Sequence, residues 1–161
     1  MSSKVFYIFL FILTFSAPTA FAQTTWSSTE SMNMDTLNKY LIEEINVLRK
    51  KAKVDPLVNQ KLLQPAADDH AAYMMDEEKL THYQKSNKEK KSPKNRADYY
   101  GQQFELVSEN VQQWDLNVPI KLKGDRNATK TDTYERLAKA LVTNWKSSKA
   151  HFNNMMDGRF S

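Results

Sequence analysis

Three histidines and one glutamate are the side chains of this sequence best suited to chemistry. His82 follows Leu80-Thr81, Glu109 stands in Ser108-Glu109-Asn110-Val111, and His151 closes the run that starts at Trp145. An imidazole binds a metal or moves a proton near neutral pH, and a carboxylate can orient it or share the metal. Two imidazoles and an acid meeting at the ends of elements would make such a site. Their spacing alone names none, because three separated residues are no ligand pattern like His-Glu-x-x-His. His70 shares a helical stripe with Ala66, Ala67 and Met74, so it is expected at the core or its margin, hydrogen-bonded rather than a further ligand. No serine is set beside a base by a motif, and the chain has no cysteine.

The elements that must position these residues are mostly helical. Asp35 reads as an N-cap, and Leu37, Leu41, Ile45 and Leu48 form one stripe of a helix to about Lys51. Asp55-Pro56 marks a turn. A second helix is expected over about Asn59 to Lys79, with Leu62, Leu63, Ala66, Ala67, Tyr73 and Met74 inward; Pro65 kinks it or starts a fresh one. Residues 84–98 are highly charged and poor in apolar side chains, which favours a solvated connection over a basic recognition loop. Phe104 to Val111 and Val118 to Lys123 have the character of short strands, and residues 124–127 that of a turn. Asp132 with Glu135 resembles a capping box for a third helix, whose apolar face runs from Tyr134 through Trp145 to about Ser148. That places His82 just past the second helix, Glu109 at a strand end and His151 just past the third helix. Helices with a few short strands between them indicate an α+β layered domain.

The chain begins as an export signal does. Lys4 supplies the positive region, Val5 to Phe15 the apolar run, and Ala20-Phe21-Ala22 the small residues of a cleavage site before Gln23. An apolar run of about 11 residues is too short for a bilayer span, which takes about 20. Residues 1–22 are therefore expected to be a removable signal peptide, 23–34 a Ser/Thr-rich flexible leader, and 35–161 one domain of ordinary size. The expected location is secreted or periplasmic, with no membrane span after cleavage. A net charge of +4 is mild and mixed with acids, so nucleic acid is not an expected partner. With no cysteine there is no disulfide framework, and the fold must stand on its core.

Several local patterns recur in a fixed order: Asn46-Val47-Leu48-Arg49 with Pro56-Leu57, Leu80-Thr81-His82, Arg96 with Gly101, Ser108-Glu109-Asn110-Val111, and Trp145-x-x-Ser148-x-x-His151-x-x-Asn154-Met155. In this order they resemble the bacterial branch of the CAP superfamily, the SCP-like extracellular proteins, over about residues 35–161. The resemblance implies a three-layer α-β-α sandwich around a small antiparallel sheet, with a central cleft. It puts His82 and His151 in the places of the cleft histidines and Glu109 in that of the first cleft glutamate. Ser148 stands where the animal members carry a second glutamate, so the full four-residue site is absent. Ser108 and Ala150 replace glycines, which restricts the backbone without removing a ligand. The resemblance also implies strands beyond the segment matching Arg159–Ser161, so the final strands of the sheet are expected to be missing from this sequence.

The resemblance suggests a binding module for lipid or cell-envelope ligands, with a divalent metal such as zinc on His82, His151 and Glu109. The incomplete ligand set predicts weak binding of that metal, lost on acidification. A second reading is a peptidase-like hydrolase in which the metal polarises water and Glu109 is the general base. A third is an envelope or stress-related structural protein.

Overall fold

A computed structural model describes residues 5–8, 32–101, 103–116 and 118–161, with backbone alone for residues 5–8. The predicted cleavage site, most of the apolar run and most of the leader lie outside the described residues. Of the apolar run, Val5–Ile8 forms strand β1, paired in parallel with β2 (Val107–Asn110), Val5 opposite Val107 and Ile8 opposite Asn110. A second pair is antiparallel, β3 (Pro119–Ile120) with β4 (Thr129–Lys130). Around them stand α1 (Met34–Lys51), α2 (Gln64–Asp76), α3 (Pro93–Tyr99), α4 (Tyr134–Ser147) and α5 (Lys149–Met155). The architecture is α+β, as expected.

α1 packs on α4, and their apolar stripes make the larger core cluster. Leu37, Leu41 and Ile45 face Leu137, Leu141 and Trp145, all fully buried. Each large aliphatic side chain withdrawn from water in this way contributes about 1.5 to 3 kcal/mol. The α1 stripe continues at Arg49 rather than at the expected Leu48, which is only half-buried. Buried Arg49 donates from Nε to the Asp55 carbonyl (2.6 Å) and from its terminal nitrogens to the carbonyls of Met155 (2.8 Å), Asp157 (3.1 Å) and Phe160 (2.5 Å). One guanidinium thereby ties the end of α1 to the last residues of the chain. Its five fixed donors suit a set of carbonyls that a lysine could not serve.

A smaller cluster of Leu63, Ala66, Ala67, Met74, Ala97, Phe104 and Val111 joins α2, α3 and the start of the sheet. The second helix is split: Lys61–Leu63 is a 3-10 turn, and Pro65 opens α2 in the first turn, where its missing N–H is harmless. Leu62 faces solvent at 57% exposure, contrary to expectation, because the 3-10 turn rotates it off the helical stripe.

Three further expectations are corrected. The N-cap of α1 is Asn33, whose side chain accepts from Thr36 N, so the leader ends sooner and Met32 is already buried. Thr133, not Asp132, caps α4. The charged connection contains α3, capped by a reciprocal box in which Ser92 accepts from Asn95 N (3.2 Å) and Asn95 accepts from Ser92 N (3.3 Å). α3 closes at Gly101, whose φ of +82° suits glycine after a helix end. The expected strands are shorter than the stretches that suggested them.

Candidate functional site

The site lies where α2, α3, β2 and the segment around His82 converge. Side chains of a strand alternate between its faces. On β2, Ser108 and Asn110 therefore point one way and Glu109 the other. Ser108 and Asn110 both meet Asn154 of α5: Ser108 Oγ hydrogen-bonds to Asn154 Oδ1, and Asn154 Nδ2 donates to Asn110 Oδ1 (2.8 Å) and to the Glu109 carbonyl (3.0 Å). That network seats α5 on β2 and fixes the backbone at Glu109.

On the opposite face the Glu109 carboxylate is 1% exposed and clamped from two sides. Oε2 accepts from a terminal nitrogen of Arg96, which is fully buried on α3. Oε1 accepts from His82 Nδ1 at 2.8 Å. A carboxylate oxygen only accepts, so the neutral His82 ring carries its proton on Nδ1 and presents Nε2 as a lone pair. The His82 side chain is 43% exposed, so this lone pair is within reach of solvent. Arg96 also donates to the carbonyls of His82 and Lys90, both at 3.3 Å. It thus holds the backbone of the histidine as well as the acid that orients the ring.

His70 is fully buried on α2, with Nε2 2.7 Å from the Thr81 carbonyl and 3.8 Å from Glu109 Oε1. Burial lowers its pKa from the ordinary imidazole value; Glu109 opposes this and Arg96 reinforces it. The neutral ring donates to the Thr81 carbonyl and pins the residue before His82. His70 is in the core and hydrogen-bonded, as the stripe indicated.

His151 lies on α5 rather than in a connection, because Ser148 ends α4 and caps the next helix, accepting from His151 N at 3.5 Å. Its pKa is lowered by burial and, to a smaller extent, by the charge of His82. The structure thus joins His82 to Glu109 directly, and among the described residues His151 makes no side-chain hydrogen bond to either of them.

The metal implied by the resemblance would need ligands besides the two imidazoles. Both oxygens of Glu109 are engaged, and among the described residues no group of three or more His, Cys, Asp or Glu side chains is placed to hold one ion. These residues do not fit a firmly held resident metal. Nor does any hydroxyl among the described residues hydrogen-bond to His82 Nε2 as a poised nucleophile would.

Arg96 is the part whose role the sequence did not announce. For Arg96 a cue was present: it is the one arginine among the lysines of residues 84–98, four residues past Ser92-Pro93, a helix-start pair.

Away from these residues, a hollow of about 480 Å³, including space open to solvent, lies between α1 and the start of α2. Leu41, Ile42, Leu57, Val58 and Leu63 line it, with Asn38 and Gln64 among its polar groups. Asn46 holds the Leu57 backbone through both amide atoms (2.9 and 2.8 Å), which keeps that wall in place.

Among the described residues no helix is long and apolar enough to cross a membrane. In comparison with known proteins, the model of the cysteine-rich secretory protein family (CAP) matches residues 42–161. Neither the curated proteins nor the solved structures give a match.

Proposed function

The chain belongs to the cysteine-rich secretory protein (CAP) family, and we propose that it is an exported binding module for an amphiphilic cell-envelope ligand such as a lipid. The observation that carries this reading is the engagement of Glu109. A carboxylate that is 1% exposed and bound by both Arg96 and His82 is a poor general base for a water molecule. Its geometry suits it to orientation, leaving His82 Nε2 as a polar anchor at the surface. The hollow between α1 and α2 supports a partly apolar ligand, since aliphatic side chains line it and Val58 at its wall stays exposed.

A second reading keeps one specific observation on its side. A buried carboxylate bonded to Nδ1 is also what orients a histidine base, so hydrolysis would run through His82 Nε2 rather than Glu109.

The deciding experiment uses the delipidated full chain and a fluorescent polyunsaturated fatty acid. Saturable binding that weakens at least tenfold in Val58→Asp supports the module. The double variant His82→Ala/His151→Ala is assayed for retained ligand and for peptide cleavage. Peptide cleavage by the wild type, lost in the folded double variant, would favour the enzyme.

A further inference from the structure

A second hollow, of about 490 Å³, opens between the end of α2 and residues 79–86, which carry His82. We propose that it is a subsite for an anionic saccharide, a sugar ring bearing a carboxylate or a phosphate. It is separate from the lipid-type hollow and does not depend on that reading.

Two tyrosines, Tyr73 and Tyr83, stand in the lining with Lys79, Lys85, Thr81 and Ser86. Tyr83 is 52% exposed, so its ring offers an apolar face that no core residue covers. Such a face suits the C–H side of a pyranose, while hydroxyls beside it suit the ring's own hydroxyls. The Tyr73 hydroxyl accepts from Lys85 N at 3.2 Å, and its proton has no acceptor among the described residues. It is a donor held in place for a ligand oxygen.

Charge gives the sign of the ligand. Lys90 and Lys94 nearby are neutralised by Asp69 (2.7 Å) and Asp98 (2.5 Å). Lys79 and Lys85 form no ion pair among the described residues, and Glu77 is the only acid in the lining. Within the lining, two ammonium groups stand against one carboxylate. The lining contains no arginine, the residue that grips phosphodiester backbones bidentately, so a compact acidic sugar fits better than nucleic acid.

The hollow also reaches the histidine cluster. Tyr73 stacks on His70 with ring centroids 5.9 Å apart and planes 11° from parallel, and Thr81 in the lining accepts from His70 Nε2. A ligand pressing on Tyr73 or Thr81 is therefore felt at His82.

The test is a nuclear magnetic resonance titration of the full chain. The probes are a tetrasaccharide of alternating glucuronate and N-acetylglucosamine, neutral tetra-N-acetylglucosamine, glucose 6-phosphate and inorganic phosphate. The proposal expects saturable shifts at residues 79–86 and at the His82 ring with an acidic sugar, at least tenfold weaker with the neutral one. Glucuronate against glucose 6-phosphate identifies which acid is preferred. Lys79→Ala/Lys85→Ala should weaken acidic-sugar binding at least tenfold and Tyr83→Ala at least threefold, with circular dichroism unchanged. Equal binding of the neutral sugar, phosphate alone binding as well as the sugar, or binding indifferent to these variants would overturn it. So would an equal response to a single-stranded oligonucleotide, which would mark a general polyanion surface.

Discussion

Arg96, Glu109 and His82 behave as one unit because each satisfies what the next would otherwise lack. Burying a guanidinium and a carboxylate costs solvation that only their mutual pairing offsets, so removing one partner is far worse than never having had either. Glu109→Gln keeps the shape and takes away the charge that Arg96 pairs with. Chemical denaturation should show a loss of about 3 to 5 kcal/mol; a change below about 1 kcal/mol would show the pair to be dispensable. Protons matter at the same scale. His70 and His151 both titrate below the ordinary value of 6.5 in the folded chain, and burial is the main cause for each. Around His70 the charged neighbours are Glu109, Arg96 and His82. The unfolded chain therefore binds more protons between the lowered values and 6.5, and stability should fall as pH drops through that window. Each proton contributes a slope of at most about 1.4 kcal/mol per pH unit. Denaturation midpoints from pH 7 downward would show this, with a flatter profile in His70→Gln.

Among elements, the helices were the part the sequence made plain. Apolar stripes at 3.6 periodicity announce α1 and α4, because a helix must bury one face wherever it sits. The failures have a common cause. Arg49, α3 and α5 are decided by contacts across the chain. Arg49 reads as the polar end of a stripe until the carbonyls of Met155, Asp157 and Phe160 arrive from more than a hundred residues away. α3 has only Ala97 as an apolar buried side chain and hides in a lysine-rich segment. Of the site, His82 and Glu109 were singled out by their local patterns and do pair, whereas the pairing of Glu109 with Arg96 was not legible, since side-chain pairing leaves no periodic trace. Arg49→Lys should cost about 3 kcal/mol, because several buried carbonyls lose their donors. Leu62→Ser should stay within about 0.5 kcal/mol, as expected for an exposed position. Thermal or denaturant melts of both variants check the contrast; equal effects would contradict the assigned packing.

For the whole molecule, the buried side chains fall into two clusters, and the site lies by the smaller one, where α2, α3 and β2 come together. α2, α3 and β2 hold the site from its buried side, and its side chains that meet solvent include the imidazoles of His82 and His151. Zinc added to the chain should therefore bind weakly and raise the melting temperature only at high concentration; tight stoichiometric binding would show a third ligand. Export is a prediction at this scale too: the recovered protein should have Gln23 as its first residue by intact mass, and β1, which lies in the removed segment, would then be absent from beside β2.

The reading of the histidine site turns on how the His82 ring is held. A long-range proton–nitrogen correlation spectrum of the full chain at pH 8 reads this directly. The account predicts a single tautomer with the proton on Nδ1, protected by Glu109, and an unprotonated Nε2. A proton on Nε2, or the averaged signals of a freely turning ring, would contradict it.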